Sequence, residues 1–286
     1  MSDKSNKHAG LAKKYLTNAV IYFILILFAV WSIYPIVNVI TVSLRPGDLL
    51  WSKDLSIIPD NWSFNSYVVL FTEKPFLRWM ANSFLISGVV TITGVGLAST
   101  AGYAFSRYRF KGRDTGMTGM IVTQMFPVTM LLLPLFIMLI KLKLYDTYLG
   151  LIVAYSATAL PFCVWQMKGY YDTIPKSLEE AASIDGCSQF MIFWRVVLPL
   201  AAPALVITAL FSFMSAWSEY LVAAVLIQDT SLYTLPIGLK SFQSVFATEW
   251  GLYAAAALVV SIPVVLLFMF LSKYLVSGLT LGGVKE

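Results

Sequence analysis

Residues 175–199 read PKSLEEAASIDGCSQFMIFWRVVLP, and this charged stretch separates two uncharged runs, Thr147 to Met167 and Val196 to Ser218. A transmembrane helix needs about 20 mostly apolar residues to cross a hydrocarbon layer of about 30 Å, and both runs reach that length. We therefore predict an integral membrane protein in which residues 172–199 form a polar loop between two spans.

The same alternation of long apolar runs and charged segments extends outward over the whole chain. Hydrophobic residues make up 58% of the sequence and charged residues only 12%, against about 25% charged residues in an average soluble domain, which excludes an ordinary soluble protein. We predict an all-α integral membrane fold, with a polar tail at 1–14 and a membrane domain at 15–286. The six predicted transmembrane helices lie at about 17–43, 80–105, 116–140, 147–168, 200–227 and 252–276, with outer loops at 45–78 and 229–250.

Lysine and arginine set the predicted orientation. If the N-terminus lies inside the cell, basic residues are more numerous in the cytoplasmic segments than in the outer ones, whereas acidic residues divide evenly. Both the N-terminus and the C-terminus are therefore predicted to be cytoplasmic. The same distribution accounts for the net charge of +5 and argues against nucleic acid as a partner.

Residues typical of catalytic and metal sites are scarce. His8 is the only histidine, and Cys163 and Cys187 fall in an apolar run and a charged loop, so neither a metal site nor a disulfide framework is indicated. The chain has no Gly-x4-Gly-Lys-Ser/Thr phosphate loop. We predict no metal, no cofactor and no catalytic residue in this chain.

The polar loop contains a short predicted helix with recognisable ends. Ser177 and Glu180 fit a capping box, in which the serine hydroxyl accepts from the Glu180 amide and the carboxylate reaches back. Gly186 can adopt the left-handed conformation that closes a helix. Leu178, Ala182 and their apolar neighbours give a small surface that suits docking into another protein, although a helix lying on the membrane surface is the alternative.

The spacing of this segment resembles a known signature. Glu180-Ala181-Ala182, then Gly186 after three residues, then Val196 to Pro199 after nine more, match EAA-x3-G-x9-I-x-LP, with valine in place of isoleucine. This motif resembles the membrane subunits of binding-protein-dependent ABC importers. Further matches to the MalG-like permeases of maltose-type carbohydrate importers lie at 76–83, 217–220, 234–239 and 278–285.

The resemblance implies a MetI-like type I ABC importer fold in a bacterial or archaeal cytoplasmic (inner) membrane. It implies a MalF-like second permease, two ATP-binding cassette subunits that hold ATP and Mg²⁺, an extracytoplasmic solute-binding protein and a carbohydrate substrate, of the maltose/maltodextrin or trehalose type. The residues implied to couple to the ATPase subunits are Glu180, Ala181, Ala182, Asp185, Gly186 and Pro199. The tail residues implied to contact them are Gly282, Gly283, Val284 and Lys285. The residues implied to meet the binding protein are Tyr233, Pro236, Gly238, Phe242 and Gln243.

Several polar and aromatic residues inside the predicted spans are candidates for the substrate pathway. A charged residue costs about 2.5 to 3.5 kcal/mol at the centre of a membrane helix, so Glu219 is expected to face a cavity or a partner, or to be a protonated or interfacial residue. Trp217 and Tyr220 lie beside it, where they either recognise a sugar ring or simply pack. Gln124 and Ser156 are further candidates.

Three alternatives stay open at this point. A permease for glycerol-3-phosphate or a polyol would share the same architecture. An ion-coupled secondary transporter would normally show paired intramembrane carboxylates or inverted repeats, and this chain offers only Glu219. A membrane enzyme would need a catalytic cluster that the sequence lacks.

Overall fold

The structure is a computed structural model that describes the backbone of residues 2–48, 50, 61–243 and 248–281, and the side chains of 15–47, 50, 61–243 and 248–272. Within these residues there is no β-strand, and the only bridge is an isolated antiparallel pair, Gln243 and Thr248. The α-helices are α1 (Ser2–Ser43), α2 (Asn65–Thr72), α3 (Phe76–Arg107), α4 (Arg113–Met125), α5 (Val128–Lys141), α6 (Tyr148–Thr173), α7 (Ser177–Ile184), α8 (Gln189–Ile192), α9 (Leu198–Leu200), α10 (Ala202–Trp217), α11 (Leu221–Leu226), α12 (Leu235–Ser241) and α13 (Trp250–Leu281).

Four of the described helices are long and apolar enough to cross a membrane: the Tyr15–Ser43 part of α1, α3, α6 and the Trp250–Ser272 part of α13. Two further candidates are bent pairs, α4 with α5 at 108° and Gln189–Leu200 with α10 at 77°. The count reaches the predicted six if each bent pair forms one span. Within the predicted spans 116–140 and 200–227 the helix is interrupted, at residues 126–127 and at residues 218–220.

Pro127 accounts for the break between α4 and α5. A proline disfavours the helical conformation of the residue before it, and Phe126 is extended, with ψ 131°. Pro127 itself has ψ 135°, so two successive residues leave the helix. Pro134 and Pro161, in contrast, lie inside α5 and α6.

A proline also lies next to the bend that precedes α10. Pro203 lies in the first turn of α10 and has no N–H to donate to the carbonyl of Pro199 four residues earlier. The segment Phe193–Val197 that precedes this bend is a π-helix. At its other end α10 stops at Trp217, and the chain resumes as α11 at Leu221.

The chain divides into two compact units. The first comprises Met1–Glu73 and Phe242–Leu258, the second Lys74–Ser241 and Val259–Glu286. In the first unit the Ser63 amide donates to the Leu44 carbonyl at 2.9 Å, and most described side chains of α1 are exposed.

In the second unit α3 packs along α6 and α10, and small residues make this approach close. A Cβ added to Gly102 of α3 would lie 2.8 Å from Met167 Cβ of α6, and one added to Gly94 would lie 2.8 Å from Ser212 Oγ of α10. One buried cluster around Tyr155 and Leu226 fills one end of this unit, and another around Tyr103 and Met167 fills the end from which α7 projects.

Candidate functional site

The short helix α7 begins without the predicted capping box. Ser177 is its first residue, Lys176 precedes it as the N-cap, and no side chain caps the helix. The amides of Glu179 and Glu180 both donate to the Lys176 carbonyl, at 2.9 and 3.0 Å. The Glu180 amide is therefore satisfied by the backbone, and the assignment of Ser177 and Glu180 as capping residues was wrong.

The C-terminal end of α7 is closed by a left-handed glycine. Gly186 has φ +84°, a conformation that residues with a Cβ adopt at a cost. Its amide donates to Ser183 and the Cys187 amide donates to Ala182, each at 3.0 Å, which is the hydrogen-bond pattern of a Schellman motif. The chain can therefore turn sharply after α7 and enter α8.

One face of α7 and its continuation is apolar and uncovered. Ile184 is 87% exposed, Leu178 is 43% exposed, and Phe190 and Trp194 beyond the turn are 74% and 49% exposed. Among the predicted coupling residues, the exposed ones are Glu180, Ala181, Asp185, Gly186 and Pro199. Ala182 is half-buried against the cluster around Tyr103. Exposed apolar patches of this kind mark interaction surfaces.

The opposite face of α7 is held by an ion pair. Arg107 Nε at the end of α3 donates to Glu179 Oε1 at 2.5 Å, and both side chains are largely buried, with 7% and 13% of their surface exposed. Tyr103 Oη donates to the other carboxylate oxygen of Glu179 at 2.8 Å. The sequence reasoning missed Glu179, because the residue beside the motif glutamate gave no sign that it faces inward.

The same arginine links α7 to α6. Arg107 Nη2 donates to the Ile174 carbonyl and Nη1 to Ser106 Oγ, each at 3.0 Å. Ser106 Oγ donates to Asp172 Oδ1, and Lys168 Nζ donates to Asp172 Oδ2, both at 2.6 Å. We call these residues the junction: Tyr103, Ser106, Arg107, Lys168, Asp172 and Glu179. It ties three helices together at one end of the second unit.

The charges of the junction compensate one another. Each of its carboxylates is paired with a cation, and no group of three or more His, Cys, Asp or Glu residues that could hold a metal occurs in the part of the chain that the structure describes. The largely buried Arg107–Glu179 pair fixes the geometry of α3 and α7, because separating its two members leaves an uncompensated buried charge.

Gln124 is the pathway candidate that lines a cavity. The cavity measures about 620 Å³ and lies where the α4–α5 break faces α6. Gln124 Nε2 donates to the Thr158 carbonyl at 3.0 Å, and no charged side chain lines the space. Ser156 is half-buried on α6 and does not line this cavity.

Glu219 caps a helix at the break between α10 and α11. Its Oε1 accepts from the Val222 amide at 3.0 Å, and its backbone carbonyl accepts from Tyr155 Oη at 3.3 Å. No ion pair to Glu219 occurs within the described residues. The carboxylate thus satisfies one of the amides that the start of α11 leaves free.

Trp217 and Tyr220 are packing residues in this structure. Trp217 is only 3% exposed; its ring stacks on Phe213 at 5.3 Å and its Nε1 donates to the Val260 carbonyl at 3.3 Å. Tyr220 is half-buried against the cluster around Tyr155. Of the two roles considered for Trp217, this structure shows packing, and a role in the substrate pathway stays a prediction.

The loop that follows α11 folds back onto α3. Asn82 Nδ2 donates to the carbonyls of Ser231 and Tyr233 at 3.0 and 2.9 Å. A Cβ on Gly238 would fall 2.1 Å from Trp79 Cε3, so the loop backbone rests directly on the indole ring. This half of the loop is therefore part of the second unit.

The residues predicted to meet a binding protein differ in how far their side chains are buried. Gly238 and Phe242 are buried, whereas Tyr233, Pro236 and Gln243 are half-buried. Lys240 and Ser241 are the exposed residues next to them. Residues 244–247 lie outside the described part of the chain, as do the predicted tail contacts Gly282, Gly283, Val284 and Lys285.

Two aspartates fix the start of this loop. Asp146 Oδ1 accepts from the amides of Gln228 and Asp229 at 2.9 and 3.2 Å. Asp229 Oδ1 accepts from the Ser231 amide at 2.8 Å, and this hydrogen bond, helped by the charge of Arg78, lowers the pKa of the Asp229 carboxyl. The loop thus starts from a fixed, ionised anchor.

Comparison with known proteins gives these features a context. A family model described as "Binding-protein-dependent transport system inner membrane component" matches residues 94–281. The chain is 35% identical over 275 residues to the inner membrane ABC transporter permease protein YcjP of Escherichia coli (strain K12), covering 96% of this chain and 98% of that protein.

Two relatives carry names that include a sugar. The maltose/maltodextrin transport system permease protein MalG of Salmonella typhimurium is 37% identical over 280 residues, covering 91% of this chain and 93% of that protein. The arabinooligosaccharides transport system permease protein AraQ of Halalkalibacterium halodurans is 33% identical over 257 residues, covering 89% and 91%.

Solved structures show the same architecture. A chain in the crystal structure of a bacterial ABC transporter involved in the import of the acidic polysaccharide alginate matches with a TM-score of 0.79 and 25% identity, covering 92% of this chain and 97% of that chain. A second alginate transporter structure, in complex with a pentasaccharide-bound periplasmic protein, matches in fold with a TM-score of 0.68 at 15% identity. The predicted fold class is confirmed.

Proposed function

The chain belongs to the family of binding-protein-dependent transport system inner membrane components, and from this premise we propose that it is one of two different permease subunits of an ATP-driven importer for an uncharged di- or oligosaccharide. It is a multi-pass inner-membrane protein and a permease subunit of a sugar ABC importer. The proposed partners are a MalF-like permease, two ATPase subunits and an extracytoplasmic binding protein.

The uncovered face of α7 is the observation that carries the proposal. An eight-residue helix is marginal by itself in water, yet α7 presents Ile184 and Leu178 outward while Glu179 anchors its other side. An ATPase subunit with an apolar cleft would cover the exposed side chains. The exposed Glu180 and Asp185 would lie at the edge of that contact.

The junction supplies the proposed route for coupling. ATP and Mg²⁺ bind and react in the partner subunits. Movement of those subunits shifts α7, and the junction passes the shift to α3 through Arg107 and to α6 through Ser106 and Asp172. Because these contacts are short and the Arg107–Glu179 pair is largely buried, α7 and the ends of both helices move as one body.

The uncharged lining of the α4–α6 cavity supports a neutral substrate. Thr123, Gln124 and Thr158 are its polar lining residues, and hydroxyl and amide groups of this kind bind sugars by hydrogen bonds. A phosphate ester such as glycerol-3-phosphate would need a basic group, and none lines the cavity. Malto-oligosaccharides and trehalose are the proposed substrates.

Reconstitution of the complete importer in proteoliposomes tests the proposal. We expect uptake of labelled maltotriose or trehalose that requires the binding protein and ATP at the ATPase face. If glycerol-3-phosphate or a polyol were taken up and no sugar were transported, the proposed sugar substrate would be wrong. Ion-driven uptake by the purified chain alone would instead establish a secondary transporter.

A further inference from the structure

A second cavity lies beside the junction, at the end of the second unit from which α7 projects. It measures about 480 Å³ and is bounded by the end of α3, the start of α4 and the connection between α6 and α7. The lining residues whose side chains carry a charge are Arg107, Arg109, Arg113, Asp172 and Lys176.

The charges around this cavity do not cancel. Arg107 is paired with Glu179, and Asp172 is paired with Lys168. Arg109, Arg113 and Lys176 have no ion pair within the described residues, although Arg113 Nε donates to the Phe105 carbonyl at 2.7 Å. Three positive charges therefore surround the cavity without a carboxylate to balance them.

We propose that this cavity binds the phosphate group of an anionic phospholipid. Basic pockets between membrane helices on the cytoplasmic side are suited to phosphate headgroups. Guanidinium groups match phosphate oxygens in shape and charge. The site relies on the predicted cytoplasmic orientation of this end and is independent of the substrate.

The surroundings of the cavity favour a lipid as the source of the phosphate. The cavity lies at the ends of two membrane-crossing candidates, α3 and α6. Tyr108, which lines it, is 46% exposed, and exposed tyrosines collect at the level of the lipid headgroups. A headgroup at this depth can reach Arg109 and Lys176 while its acyl chains stay in the bilayer.

A lipid bound in this cavity would affect coupling to the ATPase subunits, because one residue belongs to both the cavity and the junction. Arg107 lines the cavity and also holds Glu179 of α7. A bound phosphate would add a counter-charge next to the junction and restrain the loop that leads into α7. The lipid would thus act on the contact through which the ATPase subunits move the permease.

Native mass spectrometry of the intact importer tests the site, with phosphatidylglycerol, phosphatidylcholine and inorganic phosphate as probes. We expect phosphatidylglycerol to bind in preference to phosphatidylcholine. The double variant Arg109→Gln/Lys176→Gln should weaken this binding roughly 25-fold, since each basic residue near a membrane surface contributes roughly a fivefold gain. Lys111→Gln is the control for the single variant Arg109→Gln, because each removes one charge from the same exposed loop and only Arg109 lines the cavity; Arg109→Gln should lose more phosphatidylglycerol binding than Lys111→Gln.

Several outcomes would overturn the proposal. Equal binding of the two lipids would show that the cavity does not select an anionic headgroup. An equal loss of lipid binding in Lys111→Gln would show that general surface charge, and not the cavity, attracts the lipid. Inorganic phosphate that displaces the lipid at equal concentration would assign the cavity to a soluble phosphate. A crosslink from Arg109→Cys to an ATPase subunit, with phosphatidylglycerol excluded, would assign it to a protein contact.

Discussion

Arg107 Nε and Glu179 Oε1 lie 2.5 Å apart, although 72 positions separate the two residues in the chain. The pair joins the end of a long membrane helix to the short helix that carries the family motif. Glu180, the first residue of the Glu-Ala-Ala triplet, is exposed on the other side. Neighbouring glutamates therefore serve two surfaces, one toward the permease and one toward its partner.

Replacing Glu179 should destabilise the permease, whereas replacing Glu180 should not. Glu179→Ala leaves Arg107 as a buried charge without a carboxylate, at a cost of about 3 kcal/mol. The expected result is a lower Tm of the assembled importer and ATP hydrolysis that no longer drives uptake. Glu180→Ala should keep the Tm and weaken only ATPase association. Equal Tm values for the two variants would contradict the assignment of Glu179 to the junction.

Tyr103→Phe offers a milder change at the same contact. It removes one hydrogen bond to the charged Glu179 carboxylate and keeps the ion pair, so the loss should be about 2 kcal/mol. Thermal unfolding of the assembled importer should place this variant between the parent and Glu179→Ala. A loss as large as that of Glu179→Ala would show that the ion pair is not the main contact.

Ile184→Asp should detach the ATPase subunits. The side chain is 87% exposed, so the variant should fold and insert normally, while a charge on the apolar face opposes burial in a partner. Co-purification with the ATPase subunits measures the effect. Thr115→Asp, an exposed position in the first turn of α4, is the control and should co-purify fully. Undiminished co-purification of Ile184→Asp would exclude this face as the docking surface.

Two glycines of α3 should respond differently to alanine. A Cβ at Gly102 would meet Met167 Cβ at 2.8 Å and the Lys168 amide nitrogen at 2.9 Å, whereas nothing lies within 4 Å of one at Gly96. Gly102→Ala should separate α3 from α6 and cost about 1–3 kcal/mol. Gly96→Ala should be neutral or slightly stabilising, because alanine favours the helix. Thermal unfolding in detergent compares the Tm values of the two variants. An unchanged Tm of Gly102→Ala would show that α3 and α6 lie further apart than in this structure.

Glu219 should be replaceable by a neutral acceptor. Glu219→Gln keeps an oxygen that accepts from the Val222 amide, and transport should stay near the parental rate. Glu219→Leu removes that acceptor and should cost about 1 kcal/mol, as for other lost helix caps. Uptake assays and thermal unfolding together separate the two variants. A loss of transport in Glu219→Gln at unchanged stability would mean that the charge itself is required.

The features that follow from composition and local spacing could be predicted from the sequence. The scarcity of charge requires lipid as the solvent, and uncharged runs of about 20 residues indicate helices, in which every backbone group finds a partner within its own segment. Gly186, placed after a short polar helix, indicated the left-handed turn that the structure has. The motif around Glu180 indicated the family.

Other local predictions failed because they depended on where an element begins. The first turn of α7 starts one residue earlier than expected. The Glu180 amide therefore donates to the Lys176 carbonyl, and the Ser177 hydroxyl does not cap it. Pro127 lies inside the predicted span 116–140, where the structure has two helices at an angle of 108°. The residue types alone do not specify which residue caps α7 or the angle between α4 and α5.

The sequence by itself determined that this chain is a helical membrane protein with a polar helix that ends at Gly186, because hydrophobicity and the conformational freedom of a glycine are local properties. Only the tertiary structure decided that Glu179 meets Arg107, that Trp217 is covered and that Gly238 rests on Trp79. Those contacts join residues far apart in the chain, and their formation depends on the packing of whole helices, which no single segment specifies.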